Sequence, residues 1–159
     1  MDYLTSAECT KKWNVSQQRM VKILFVCHGN ICRSPMGEYI MKALSKNVEC
    51  ASAATSTEEI GNDIYPPAKR KLKEKGIPFS THHARQIRKQ DYSYYDYILC
   101  MDDYNLRNLK SYYNNDPEHK IYKLLSDRSV SDPWYTGDFE QAYNDIYQGC
   151  KEWLERFSV

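Results

Sequence analysis

Lys22-Ile-Leu-Phe-Val-Cys27, running on through His28-Gly-Asn-Ile-Cys-Arg-Ser34 to Pro35, is the stretch on which the fold turns. Its first half is a short continuous apolar run, the pattern of a central strand buried on both faces of a parallel sheet. Its second half is polar and leads into Met36, Ile40, Ala43 and Leu44 at helical spacing. Ser34 as N-cap with Pro35 at the first helical position makes a favourable helix start. Strand, loop and helix in that order place the loop at the carboxyl end of a strand, where α/β sheets bind ligands.

The alternation continues outward. Val48 to Ala54 reads as a strand, and Pro66 to Lys75 as a helix closed by Gly76. Tyr97 to Met101 reads as a strand, Tyr104 to Tyr113 as a helix and Lys120 to Leu125 as another strand. Asp138 is placed to cap a last helix, in which Phe139, Ala142, Tyr143, Ile146, Tyr147, Cys150, Trp153, Leu154 and Phe157 keep a 3.6-residue period. Strands alternating with helices imply an α/β fold with a mostly parallel sheet and right-handed crossovers. A chain of 159 residues, 42% hydrophobic, suits one such domain.

Composition narrows the function classes. The 22 Lys and Arg against 21 Asp and Glu leave a formal charge of +1, without the basic footprint of a nucleic-acid binder. Any anion site is therefore local. The first twenty residues are polar and the apolar run Ile23 to Cys27 is too short for a signal peptide or membrane span, so a cytoplasmic location without a membrane partner is expected. Six cysteines without CxxC spacing read as reduced thiols. Residues 1–19 stand apart from the domain at 20–159. Tyr3 to Arg19 looks like the first half of an excisionase-type helix-turn-helix, with Trp13 and Val15 around the turn. The groove-reading second helix is missing, so the segment reads as an extension and no nucleic-acid partner is expected.

The loop itself offers Cys-x5-Arg, and it lacks the GxxxxGK[ST] pattern of a nucleotide-binding loop. A loop of this length can curl around one phosphate, with Cys27 beneath the phosphorus, Arg33 gripping two oxygens and backbone N–H groups around Gly29 supplied by the loop and helix N-terminus. The same groups favour a thiolate on Cys27, which can attack phosphorus in line and form a phosphocysteine without a metal ion. The leaving oxygen then needs a general acid. Ser131-Asp-Pro-Trp-Tyr-Thr-Gly137 supplies Asp132, followed by Pro133 to fix the loop and by Trp134 and Tyr135 as an expected water-excluding wall that would help the carboxyl keep its proton.

Val26-Cys-His-Gly-Asn-Ile-Cys-Arg-Ser-Pro35 together with Asp132-Pro-Trp-Tyr135 resembles the low-molecular-weight protein tyrosine phosphatases. Ser52 to Thr57, Ile60-Gly61, His83 to Ile87 and Tyr97 to Asp102 agree, and the resemblance runs from Met20 to Val159. It implies a four-stranded parallel sheet with helices on both faces. It assigns Cys27 as nucleophile, Arg33 as phosphate clamp and Asp132 as general acid. It adds Asn30, Ser34, Ser52 and His82 as a buried network that holds the strained loop and lets Ser34 assist the thiolate. It also suggests a reversible Cys27–Cys32 disulfide under oxidation. The substrate site expected is His28, Gly29, Asn30, Ile31, Cys32 and Ser34 of the loop with Glu58, Trp134 and Tyr135. Glu58 departs from the aromatic cleft wall that many members carry, and Ile31 differs from the threonine of phosphoarginine-directed relatives, which favours a phosphotyrosine-type pocket.

The expected reaction is hydrolysis of a phosphotyrosine-containing protein or a small aryl phosphate by a monomer or weak homodimer with no cofactor and no metal. Rival readings are a thioredoxin-coupled arsenate reductase and a phosphoarginine phosphatase. The first needs further redox cysteines, and although Cys100 is suitably placed, the seventh residue beyond it is Arg107 where the relay would want cysteine. A zinc site from Cys27, His28 and Cys32 lacks the usual ligand spacing. A non-enzymatic phosphoprotein-binding module would have no use for Asp132.

Overall fold

The computed structural model describes residues 20–157; the expected extension at 1–19, with Cys9, lies outside them. Four strands, β1 (Val21–Cys27), β2 (Val48–Ala54), β3 (Tyr97–Cys100) and β4 (Ile121–Lys123), form an all-parallel sheet in the order β2-β1-β3-β4. The helices among the described residues are α1 (Arg33–Leu44), α2 (Pro66–Glu74), α3 (Lys89–Tyr94), α4 (Asp103–Tyr112), the single turn α5 (Pro133–Thr136) and α6 (Phe139–Phe157).

Side-chain alternation along β1 sorts the interior into two layers. Ile23, Phe25 and Cys27 join Met36 and Ile40 of α1, Ala68 and Leu72 of α2, and Ile146, Cys150 and Trp153 of α6. Leu24 and Val26 face the other way, with Ala53, Ile98, Cys100 and Ile121 beneath Leu109 of α4. Helices thus cover both faces, which is why β1 carries no polar face and reads as a continuous apolar run. None of the helices is long and apolar enough to cross a membrane.

Local signals place most boundaries. After α2, Gly76 takes φ +72 and donates to the Lys73 carbonyl at 3.1 Å, while the Ile77 N–H reaches Leu72 at 2.9 Å, a Schellman closure. Asp138 accepts from the Gln141 N–H at 2.9 Å and caps α6. Two expectations shift. Helix α1 begins at Arg33, two residues before the expected first helical position at Pro35, and Ser34 is no cap because its hydroxyl points to Cys27. Helix α3 was not legible, since Lys89-Gln-Asp-Tyr-Ser-Tyr94 is short and rich in poor helix formers. It is set by Asp91, whose carboxylate accepts from the Arg88 N–H at 2.8 Å and from the Arg85 guanidinium at 3.0 Å.

Candidate active site

The order β2-β1-β3 reverses direction across β1, so the carboxyl ends of β1 and β3 border the crevice where such sheets bind ligands. The loop after β1 is held there by its carbonyls. Those of Cys27, His28 and Ile31 accept from the N–H groups of Thr55, Ser56 and Tyr65 at 3.0, 3.1 and 2.9 Å. The Asn30 carbonyl accepts from His82 Nε2 at 2.7 Å. In a planar trans peptide the next residue's N–H points opposite to the carbonyl. With four carbonyls bonded to the surroundings, the N–H groups of His28, Gly29, Ile31 and Cys32 turn toward the loop interior, a nest for an anion.

That shape needs a left-handed residue, and Asn30 takes it at φ +61. Its side chain is used at both ends. Nδ2 donates to Ser34 Oγ at 2.8 Å, and Oδ1 accepts from the Arg85 N–H at 3.1 Å. Ser34, fully buried, places its hydroxyl 3.1 Å and its N–H 3.3 Å from Cys27 Sγ. His82 is fixed in turn by Asp63, whose carboxylate accepts the His82 N–H at 3.0 Å and pairs with Lys69.

Ser52 does not join this network, contrary to the sequence reading. Its hydroxyl donates to Glu38 Oε1 at 2.6 Å. The reason is its register: Ser52 pairs with Phe25, two residues short of Cys27, and faces α1 rather than the loop.

Arg33 is 2% exposed. Its Nη1 donates to Asp102 Oδ2 and to the Val130 carbonyl, both at 2.8 Å, and its Nη2 lies 3.4 Å from Asp132 Oδ2. The Nη2 and Nε edge is therefore the one left to grip two oxygens. Burial works against the charge on Arg33, but the negative groups beside it, Cys27 first and then Asp132 and Asp102, hold its proton affinity above the ordinary value. Asp102 was missed as a site residue. The signal available was its position just past the carboxyl end of β3, facing the crevice.

Asp132 caps the turn α5, its Oδ1 accepting the Trp134 N–H at 3.0 Å. Cys27, His28, Gly29, Ile31, Cys32, Arg33, Glu58, Asp132, Trp134 and Tyr135 line one cleft, joined by Glu59, which sequence reasoning did not single out. Asn30 and Ser34 lie behind it. The aromatic wall stands but does not seal, because Trp134 is 50% and Tyr135 81% exposed. Trp134 rests on Tyr65 with ring centroids 4.7 Å apart, a second contact not foreseen. Cys32 is a free buried thiol beside Cys27, its proton held more tightly by burial and by the charge on Cys27. Cys100 belongs to the layer across the sheet, fully buried, its thiol pushed up to about 12 by burial first and then Asp102, which disfavours a redox relay.

This geometry can bind a tetrahedral dianion over a sulfur nucleophile with a carboxyl group at hand. The chain matches the family model described as low molecular weight phosphotyrosine protein phosphatase over residues 22–158. It is 40% identical over 157 residues to the low molecular weight phosphotyrosine protein phosphatase of Homo sapiens, covering 89% of this chain and 99% of that one. It is 38% identical to a low molecular weight protein-tyrosine-phosphatase of Bacillus subtilis, covering 85% and 94%. The crystal structure of a low molecular weight protein tyrosine phosphatase from Streptococcus pyogenes superposes with a TM-score of 0.84 at 40% identity, covering 88% and 95%.

Proposed function

The chain belongs to the low-molecular-weight phosphotyrosine protein phosphatases, and from that premise we propose how its own residues carry out phosphotyrosine hydrolysis. The protein is a protein tyrosine phosphatase, a hydrolase of phosphoric monoesters. The observation that carries the mechanism is Cys27 Sγ at the floor of a loop whose carbonyls are bonded outward, with Ser34 donors on the sulfur.

The phosphate occupies the nest of loop N–H groups and the Nη2 and Nε edge of Arg33, while Asp102 holds the guanidinium in place. The Cys27 thiolate attacks phosphorus opposite the tyrosyl oxygen. As the S–P bond forms, the P–O bond breaks and the Asp132 carboxyl gives its proton to the departing phenolate. The Asp132 carboxylate then takes a proton from water as the water oxygen attacks the phosphocysteine. Inorganic phosphate leaves and the thiolate returns. The donors around the loop stabilise the charge of both transition states. The substrate is a phosphotyrosine protein, its ring accommodated between Ile31 and the Trp134 and Tyr135 wall.

Turnover of p-nitrophenyl phosphate in EDTA tests this reading, with phosphotyrosine and phosphoarginine peptides beside it. Wild type is expected to turn over without added metal and to prefer phosphotyrosine, and Cys27→Ser to be inert. Folded, reduced protein that releases no phosphate from any of them would sink the mechanism.

A further inference from the structure

Charge is divided sharply within this cleft. Its floor is built for a dianion, from loop N–H groups and Arg33. The outer lining carries Glu58 and Glu59, and among the described residues Arg33 is the one arginine or lysine that lines the cleft. The nearest cationic candidate is His28, whose Nε2 lies 3.2 Å from Glu58 Oε2. Glu58 and His28 side chains are 67% and 37% exposed, which places the pair at the mouth rather than against the phosphate.

Glu59 is not free to swing away. Its Oε1 accepts from Asn62 Nδ2 at 2.8 Å. Its Cγ lies so near the loop that a Cβ built on Gly29 would stand 3.3 Å from it. The Glu59 side chain thus lies against the loop at Gly29, which provides the room, with its carboxylate tied to Asn62 at the rim. The opposite rim, Trp134 and Tyr135, is aromatic and uncharged. Residues on either side of a bound phosphotyrosine therefore meet net negative charge that the site does not itself neutralise.

We propose that Glu58 and Glu59 make this cleft selective for phosphotyrosine flanked by lysine or arginine and against phosphotyrosine flanked by aspartate or glutamate. The inference rests on the tyrosine phosphatase reading of the same cleft. A cationic neighbour pairs with the rim, whereas an acidic one adds repulsion and is turned away during encounter. An exposed ion pair is worth roughly 1.4- to 5-fold, so attraction on one side of the comparison and repulsion on the other give about tenfold.

Three peptides test it, identical except that phosphotyrosine is flanked on both sides by lysine, alanine or glutamate, with p-nitrophenyl phosphate assayed in parallel. Wild type is expected to show kcat/KM falling in that order, about tenfold from lysine to glutamate at low ionic strength, and less at high salt. In the Glu58→Gln/Glu59→Gln double variant the lysine-to-glutamate ratio is expected to approach one. The ratio is the readout, so a general loss of activity or folding, which lowers all three peptides together, does not imitate the effect. Wild type that turns over p-nitrophenyl phosphate with a ratio near one overturns the selectivity and leaves the phosphatase reading standing. A ratio unchanged in the double variant overturns the assignment to these two residues. No turnover of any substrate by folded, reduced protein overturns both readings.

Discussion

Arg33 shows how one residue serves both stability and chemistry. A guanidinium buried this deeply is tolerated because Asp102, the Val130 carbonyl and Asp132 surround it. Asp102 uses one oxygen for Arg33 and the other for the Asn105 N–H that it caps at 2.7 Å, so Asp102→Asn removes the charge and one of the two acceptors. The variant is expected to lose about 1–3 kcal/mol in urea unfolding and to bind inorganic phosphate less tightly as a competitive inhibitor. Asp132→Ala is expected to slow phenyl phosphate hydrolysis by about 100-fold or more. It should slow p-nitrophenyl phosphate less, because that leaving group needs less help from a proton; equal losses on both esters would argue against the acid role. Cys27, Arg33 and Asp132 were expected to meet from residue chemistry and a resemblance, and all three line one cleft. Asp102 was not, because nothing local to Met101-Asp102-Asp103 reveals that a buried arginine lies across the crevice.

Among elements, α1 governs how close the site can sit to the sheet. It rests on β1 through Gly37, where an added Cβ would come within 2.7 Å of Phe25 Cδ1. Gly37→Ala is therefore expected to cost about 1–3 kcal/mol, read in thermal or urea melts, despite the better helix propensity of alanine. A neutral or stabilising result would mean that α1 can move off β1 freely. Strand β2 shows the limit of reading elements alone. Its span was legible, yet Ser52 was assigned to the wrong partner: it lies on the same face as Cys27, and only the register, which pairs it with Phe25 two residues short of Cys27, puts its hydroxyl beside Glu38 instead of the loop. Helix α3 escaped for the complementary reason. Its boundary depends on Asp91 bonding Arg85 and Arg88, a cluster that exists only after the chain has turned.

At the scale of the whole molecule, acid should loosen the support beneath the loop. The bond from Lys69, ahead of the N–H groups of Ile64 and His82, holds the Asp63 carboxyl down at about 2, below its ordinary value near 3.8. A carboxyl depressed in the folded state stabilises above the unfolded value, and that stabilisation fades as pH falls from about 4 toward about 2. Glu140, held at about 2 by Lys71 and Lys75 between α2 and α6, acts in the same sense. The urea midpoint is expected to drop across that window, and Asp63→Asn to flatten part of the drop; an unchanged slope would show that Asp63 contributes nothing to acid stability. What the sequence determined by itself was whatever depends on neighbours along the chain: the buried strand, the Cys-x5-Arg loop, the capped helices and the alternation that makes the sheet parallel. Only the tertiary structure decided the order β2-β1-β3-β4, Asp102 beneath Arg33, Tyr65 behind Trp134, and Glu59 over Gly29. Those depend on residues far apart in the chain meeting at one end of the sheet. Local propensity and spacing contain no term for that meeting; packing both faces of β1 at once does.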